Sequence, residues 1–184
     1  VTILPCTFMD FFKTPDDYYE KSLNVSFSRL IRIIDILLAL LTPAIYISLM
    51  TYNIEAIPNG LLISFSIQRD GVPFTTIFEI LVMGLMFQIL RESDLRFPGK
   101  GGSSISIVGA LVLGQAAVEA GIVSPITIIV VGISSVASLA FSSIELINSI
   151  RIWQLILIAL ASLFGFIGVM FGCIIMIALL VSQT

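Results

Sequence analysis

The chain contains no histidine, only two cysteines, and so few charges that Asp, Glu, Lys and Arg together make up 11% of it. Soluble domains carry roughly 25% charged residues, so the composition excludes an ordinary soluble protein. Without histidine, and with Cys6 and Cys173 far apart, neither a zinc site nor a disulfide framework is supported. Cys173 lies in an apolar run and reads as a small core or lipid-facing residue. No nucleophile–base pair or metal-ligand cluster is visible, so an enzyme is not expected, nor is a cofactor. A net charge of −3 with no basic stripe excludes a nucleic-acid surface. No basic-then-apolar signal peptide opens the chain, and no internal repeat is present. The first residue is not Met and the chain stops just after a long apolar run. Both ends read as cut, and a fragment of something larger is expected.

What is there is apolar surface. Hydrophobic residues make up 58% of the chain, with a mean hydropathy of +1.11. From Gly101 to Thr184 the only charged residues are Glu119, Glu145 and Arg151. The fold class this implies is an all-α integral membrane protein, a polytopic helical bundle of four to five transmembrane helices. Residues 1–29 form a polar juxtamembrane segment. There TPDDYYEK (Thr14–Lys21) carries the start signals of a surface helix: Thr14 as N-cap, Pro15 in the first turn, Asp16 and Asp17 at the positive end of the dipole.

Residues 30–184 form the transmembrane domain, with five apolar segments at about 33–50, 72–90, 104–121, 126–141 and 152–181. The first contains Asp35 and Pro43. The connection 51–71 carries turn signals in IPNG and RDG, and its LLISFSI run is too short to span as a helix. The second segment holds Glu79 and Gln88, and reads either as a span or as a helix lying in the interface. Ser124-Pro125 opens the fourth. The fifth has no charge and is expected to be a tilted or over-long span.

Lys13, Lys21, Arg29 and Arg32 precede the first segment, and Arg91, Arg96 and Lys100 follow the second. The positive-inside rule therefore assigns the N-terminus and the 91–100 connection to the cytoplasm. Five crossings would leave the C-terminal end outside; one re-entrant segment would reverse that.

The third segment includes GALVLGQAAVEAGIVSP (Gly109–Pro125), an acid between apolar and small residues. At 100° per residue, Ser104, Val108, Leu111, Gln115 and Glu119 share one face, and Ser106, Ala110, Ala117 and Ala120 share the opposite one. Small residues let helices approach closely in lipid, so the second face is expected to pack on a neighbour. The first is a candidate pore lining. An acid inside a bilayer costs roughly 2.5–3.5 kcal/mol on insertion scales, so Glu119 reaches interfacial water, a wet pathway or a buried contact between helices. Asp35, one turn after Arg32, suits a local ion pair. Glu79 sits deeper, and a pairing with Arg69 or with a neighbouring subunit both remain open.

Several stretches together resemble the A subunit of the GerA-type spore germinant receptors. They are TPDDYYEKSL (Thr14–Leu23), LLTPAIYISLMTYNIEAIPNGLL (Leu40–Leu62), QRDGVPF (Gln68–Phe74), RESDLRFP (Arg91–Pro98) and SIVGALVLGQAAVEAGIVSPI (Ser106–Ile126). The opening Val1–Phe12 looks like the junction after that subunit's soluble N-terminal domain. Gln115 followed by AAVE favours the receptor A subunit over the related spore stage V AF protein, which tends to carry an acid there. Ala140–Arg151 departs from the family pattern. The resemblance implies a spore inner-membrane protein working with a nutrient-binding B subunit and a C-subunit lipoprotein. It also implies a homo-oligomer, a pentamer, that forms a nutrient-gated channel for monovalent cations. The alternatives are a secondary transporter using Glu119 or Glu79 as coupling carboxylate, and a non-conducting scaffold for germination proteins.

Overall fold

A computed structural model describes residues 22–96, 102–138 and 144–182, and these are helical almost throughout. Six helices follow one another: α1 (Ser22–Thr51), α2 (Asn59–Arg69), α3 (Thr76–Arg96), α4 (Gly102–Glu119), α5 (Pro125–Ala137) and α6 (Ile144–Ser182). A single 3-10 turn, Ile54–Ala56, sits between α1 and α2. The helix start expected at Thr14 lies outside the described residues, as do Cys6, Lys100 and the side chains of Ser104, Ser106 and Glu145.

The core is the meeting of α1 with α5 and α6. Ala39, Leu40, Pro43, Ala44 and Ile47 recur at the three- and four-residue spacing of one helix face, and all are buried. Opposite them lie Val131 of α5 and Leu157, Ile158 and Ala161 of α6. Pro43 stands inside α1, where a missing N–H strips the carbonyl four residues earlier of its donor. That carbonyl belongs to Ala39, and Ser134 Oγ of α5 donates to it at 2.9 Å. Gln154 Nε2 of α6 donates in turn to Ser134 Oγ at 2.7 Å. A proline-made vacancy in one helix is thus filled by a polar relay from two others, as backbone groups away from water require.

Two stretches pass the length and hydropathy test for crossing a membrane, 24–51 and 146–182. The second is not one rod. Gly165 sits at φ 62, ψ −142, outside helical geometry. A Cβ built on Gly168 would strike the Leu160 carbonyl, and one on Gly172 would meet Leu157 Cδ2 at 2.5 Å. Along a continuous helix those pairs are about 12 and 22 Å apart. The chain therefore reverses at Gly165, and α6 is a helical hairpin with arms of about 31 and 25 Å. The single over-long span expected for 152–181 is replaced by two arms, because Gly165, Gly168 and Gly172 allow the turn and the close approach. Tyr52 seals the break: its hydroxyl donates to the Ser162 carbonyl at 2.9 Å and the Leu163 carbonyl at 3.1 Å.

The connection 51–71 also differs from its expectation as a loop, since its LLISFSI run lies within α2. At about 16 Å, α2 stays shorter than a span. It has no buried residue.

Tyr52, the α6 reversal, the start of α3 and the α4–α5 turn share one end of the bundle. The start of α1, Arg91, Ser138 and the start of α6 share the other. The second arm of α6 returns toward that other end.

Candidate functional site

α5 is only 13 residues long, about 20 Å, and both its termini fall against α3. A helix exposes unpaired N–H groups at its start and unpaired carbonyls at its end. Side chains of α3 meet both needs. At the start, Glu79, 1% exposed, points one oxygen at the first turn of α5. Its Oε2 accepts from the Ser124 N–H, from Ser124 Oγ and from Thr127 Oγ1, each at 2.9 Å. The two hydroxyls also approach each other to 2.8 Å, so their protons choose between the carboxylate and one another. Ser124 is the N-cap by position, yet its side chain makes no cap hydrogen bond within its own helix. Glu79 takes that role, as an anion on the positive end of the dipole.

At the far end Arg91 does the converse. Its Nη1 donates to Ser138 Oγ at 2.6 Å and its Nη2 to the Ser138 carbonyl at 3.2 Å. A cation at the C-terminal end complements the dipole there. Glu79 and Arg91 are spaced about 18 Å along α3, close to the length of α5. One helix therefore carries an acid and a base set to bracket a parallel neighbour. Parallel helices align their dipoles unfavourably, and the bracket offsets this. Sequence reading offered Glu79 an ion pair or a coupling role rather than a helix cap, and used Arg91 only as a sign of orientation. The signal that could have found the pair is Ser124-Pro125-Ile126-Thr127, a helix start within apolar sequence, which needs an acceptor from elsewhere.

The other Glu79 oxygen, Oε1, is buried and accepts no hydrogen bond. Its cation is Arg69 Nη2 at 3.7 Å, beyond hydrogen-bond range. The geometry is a loose charge contact from the last residue of α2. Of the two pairings left open for Glu79, the structure brings Arg69 to it. Asp35 is half-buried on α1 and is not part of this group.

The candidate pore face lies on α4. Val108 and Leu111 are 58% and 61% exposed, and Gln115 and Glu119 are exposed on the same face. On the other side Ala110 and Ala117 are half-buried, while Ala120 is exposed. The contact is centred on a residue that sequence reading passed over, Gly114, which is buried. A Cβ there would lie 3.7 Å from Ile128 of α5, and one on Gly109 would lie 3.4 Å from Leu90 of α3. α4 thus packs through glycine and alanine and turns its mixed polar face away from its own chain.

Glu119 occupies the last turn of α4. The helix closes with Ile122 N–H donating to the Ala117 carbonyl at 3.1 Å and Gly121 N–H to the Val118 carbonyl at 2.9 Å. Gly121 supplies the positive φ, 65°, that this closure needs. An acid at the negative end of a helix dipole is unfavourable, so Glu119 does not serve as a helix stabiliser. Among the described residues no group of three His, Cys, Asp or Glu side chains could hold a metal ion.

The described residues thus form helices that are apolar outside and capped from within by arginine and carboxylate side chains. The chain itself can be placed in a family. It belongs to the Bacillus/Clostridium GerA spore germination protein family, whose pattern it matches over residues 1–184. Spore germination protein KA of Bacillus subtilis (strain 168) is 40% identical over 99% of this chain and 34% of its own length. The uncharacterized membrane protein YfkQ of the same organism is 40% identical over 94% of this chain and 34% of its length. Spore germination protein GerQA of Bacillus cereus is 38% identical over 90% and 33%. The chain spans about a third of the length of these relatives. No solved structure matches it.

Proposed function

We infer that the chain is the membrane-embedded part of a germinant receptor A subunit, and that α4 lines an ion pathway when copies assemble. The observation that carries this reading is the division of α4. Gly109, Ala110, Gly114 and Ala117 are used within the chain, while Val108, Leu111, Gln115 and Glu119 are left exposed, with Val112, Leu113, Ala116 and Ala120 exposed beside them. A face mixing valine and leucine with an amide and an acid suits neither lipid nor bulk water. It suits a pore, where an apolar constriction gates by dewetting and an acidic ring attracts cations.

Bilayer insertion is supported by the apolar outer surface, with Leu30, Ile34, Phe166, Ile167 and Ile174 among many exposed large side chains. Soluble proteins rarely leave such continuous apolar area open. Arg29, Arg32, Arg91 and Arg151 gather at one end of the bundle, which supports a cytoplasmic assignment for it. In this reading the subunit acts in the spore inner membrane with a B subunit and a C-subunit lipoprotein, as a homo-oligomer, with a pentamer implied by the family resemblance. A transporter coupling through Glu79 is disfavoured, because that carboxylate is committed to capping α5.

Ion flux through the reconstituted receptor tests the reading. Glu119→Gln keeps side-chain shape and removes the charge, so assembly should persist while cation conductance or selectivity falls. Unchanged flux and selectivity in an assembled variant would make Glu119 an interfacial anchor.

A further inference from the structure

We propose that Arg69 and Glu79 form a releasable latch tying peripheral helix α2 to the α4–α5 turn, so that displacing α2 repositions the end of α4 that carries Glu119. The effect on ion flow rests on the pathway reading above; the latch itself does not.

Two contacts join these elements. Arg69, the last residue of α2, reaches Glu79 Oε1 at 3.7 Å, and Glu79 Oε2 holds Ser124, where α5 begins. Beside it the Gly71 carbonyl, just past α2, faces Gly121, whose added Cβ would sit 3.9 Å away. Gly121 closes α4 two residues after Glu119. The end of α2, the end of α4 and the start of α5 therefore meet around one carboxylate.

The bonds on that carboxylate are unequal, and the inequality makes the device. Three hydrogen bonds fix Oε2 to α5, while Oε1 has a charge contact and no hydrogen bond. When the group is pulled, the Arg69 side gives first. α2 has no fully buried side chain, and only the half-buried Leu62 and Phe65 hold it besides Arg69. Arg69 is 24% exposed and can exchange Glu79 for water or for another acid, whereas Glu79 is sealed. Among the described residues no other Lys or Arg lies at this end of the bundle. Asp70, next in the chain, is exposed and offers Arg69 an alternative partner. Release thus leaves the buried carboxylate without its cation, and the turn it holds must readjust.

Hydrogen exchange on the intact receptor, with Arg69→Gln, Arg69→Lys, Glu79→Gln and the double variant, tests the latch. In Arg69→Gln the amides of 59–69 and 120–124 should exchange roughly tenfold faster, as for loss of one local tether. Arg69→Lys keeps a charge and should stay near the parent. In the Glu79→Gln background, Arg69→Gln should add nothing. Unchanged exchange in Arg69→Gln, or equal effects with and without Glu79, would overturn the latch. If Glu79→Gln does not fold, the Gln and Lys variants of Arg69 decide alone. Nutrient-triggered ion release is the separate readout of consequence. Faster exchange with unaltered release keeps the latch and removes its link to the ion path.

Discussion

Glu79 is the residue on which the interior turns. A lone carboxylate in apolar surroundings would be costly, yet here three donors converge on one of its oxygens. Removing it leaves the Ser124 N–H and one of the two hydroxyl protons unpaired, at about 1–3 kcal/mol each for buried groups. Glu79→Ala should therefore lower stability by several kcal/mol, on the order of the loss of a buried hydrogen-bonded charge. Glu79→Gln keeps a carbonyl acceptor and should lose less. Thermal unfolding of the two variants in the same detergent checks the order; equal losses would mean that charge and shape, not acceptor capacity, hold α5. Ser134 is the neutral counterpart. Ser134→Ala would orphan both the Ala39 carbonyl freed by Pro43 and the Gln154 amide, for about 1–3 kcal/mol. Sequence reading had noticed Pro43, Glu79 and Ser124 separately. Their partners lie in other helices, at separations of 45 residues for Glu79–Ser124 and 95 for Ala39–Ser134, which local patterns do not encode.

At the scale of elements, apolar periodicity and capping residues made the existence of most helices legible. α4 and α5 lie within a few residues of their expected segments because apolar runs and the Ser124-Pro125 start are local signals, whereas α1 begins at Ser22, well before the expected 33, and α3 runs on to Arg96, past the expected 90. The reversal within α6 was not legible, since the run stays uncharged and mostly apolar for ten residues on either side of Gly165. GFIGVMFG (Gly165–Gly172) was the available sign: a short glycine spacing in a charge-free run. α2 was hidden for the opposite reason, being too short for a span and therefore counted as connection. The hairpin has a direct check. With Cys173 replaced by Ser, cysteines at Leu157 and Gly172 should be joined by a short bifunctional thiol reagent within one subunit. A continuous helix would hold them about 22 Å apart and prevent it. Gly165→Ala should also destabilise, because φ 62 is strained for any residue with a Cβ and Tyr52 lies 3.0 Å from the added atom.

At the scale of the whole molecule, the hairpin changes the traverse count. Five rods would end the chain opposite to where α1 starts, whereas the second arm of α6 brings residue 182 back toward the start of α1. Among the described residues Arg29, Arg32, Arg91 and Arg151, with the acids Asp35 and Glu92 among them, then lie toward the end where α1 and α6 begin, and the other end carries Glu55, Asp70, Glu79 and Glu119 with Arg69. Such asymmetry fits a subunit whose acidic end receives cations and whose basic end faces the cytoplasm. The division of α4 was partly legible: the wheel separated the polar from the small face, but Gly109 and Gly114, which face Leu90 and Ile128, were assigned to neither.

The central claim is that the exposed face of α4 surrounds an ion path. Single cysteines at Leu111, Gln115 and Ala117, in a receptor lacking Cys6 and Cys173, allow a direct test by thiol modification during nutrient-triggered ion release. A charged thiol reagent should block release at Gln115 and Leu111 and leave Ala117, packed within the subunit, unaffected. Unimpeded release after complete modification of Gln115→Cys, or block at Ala117→Cys alone, would contradict the account.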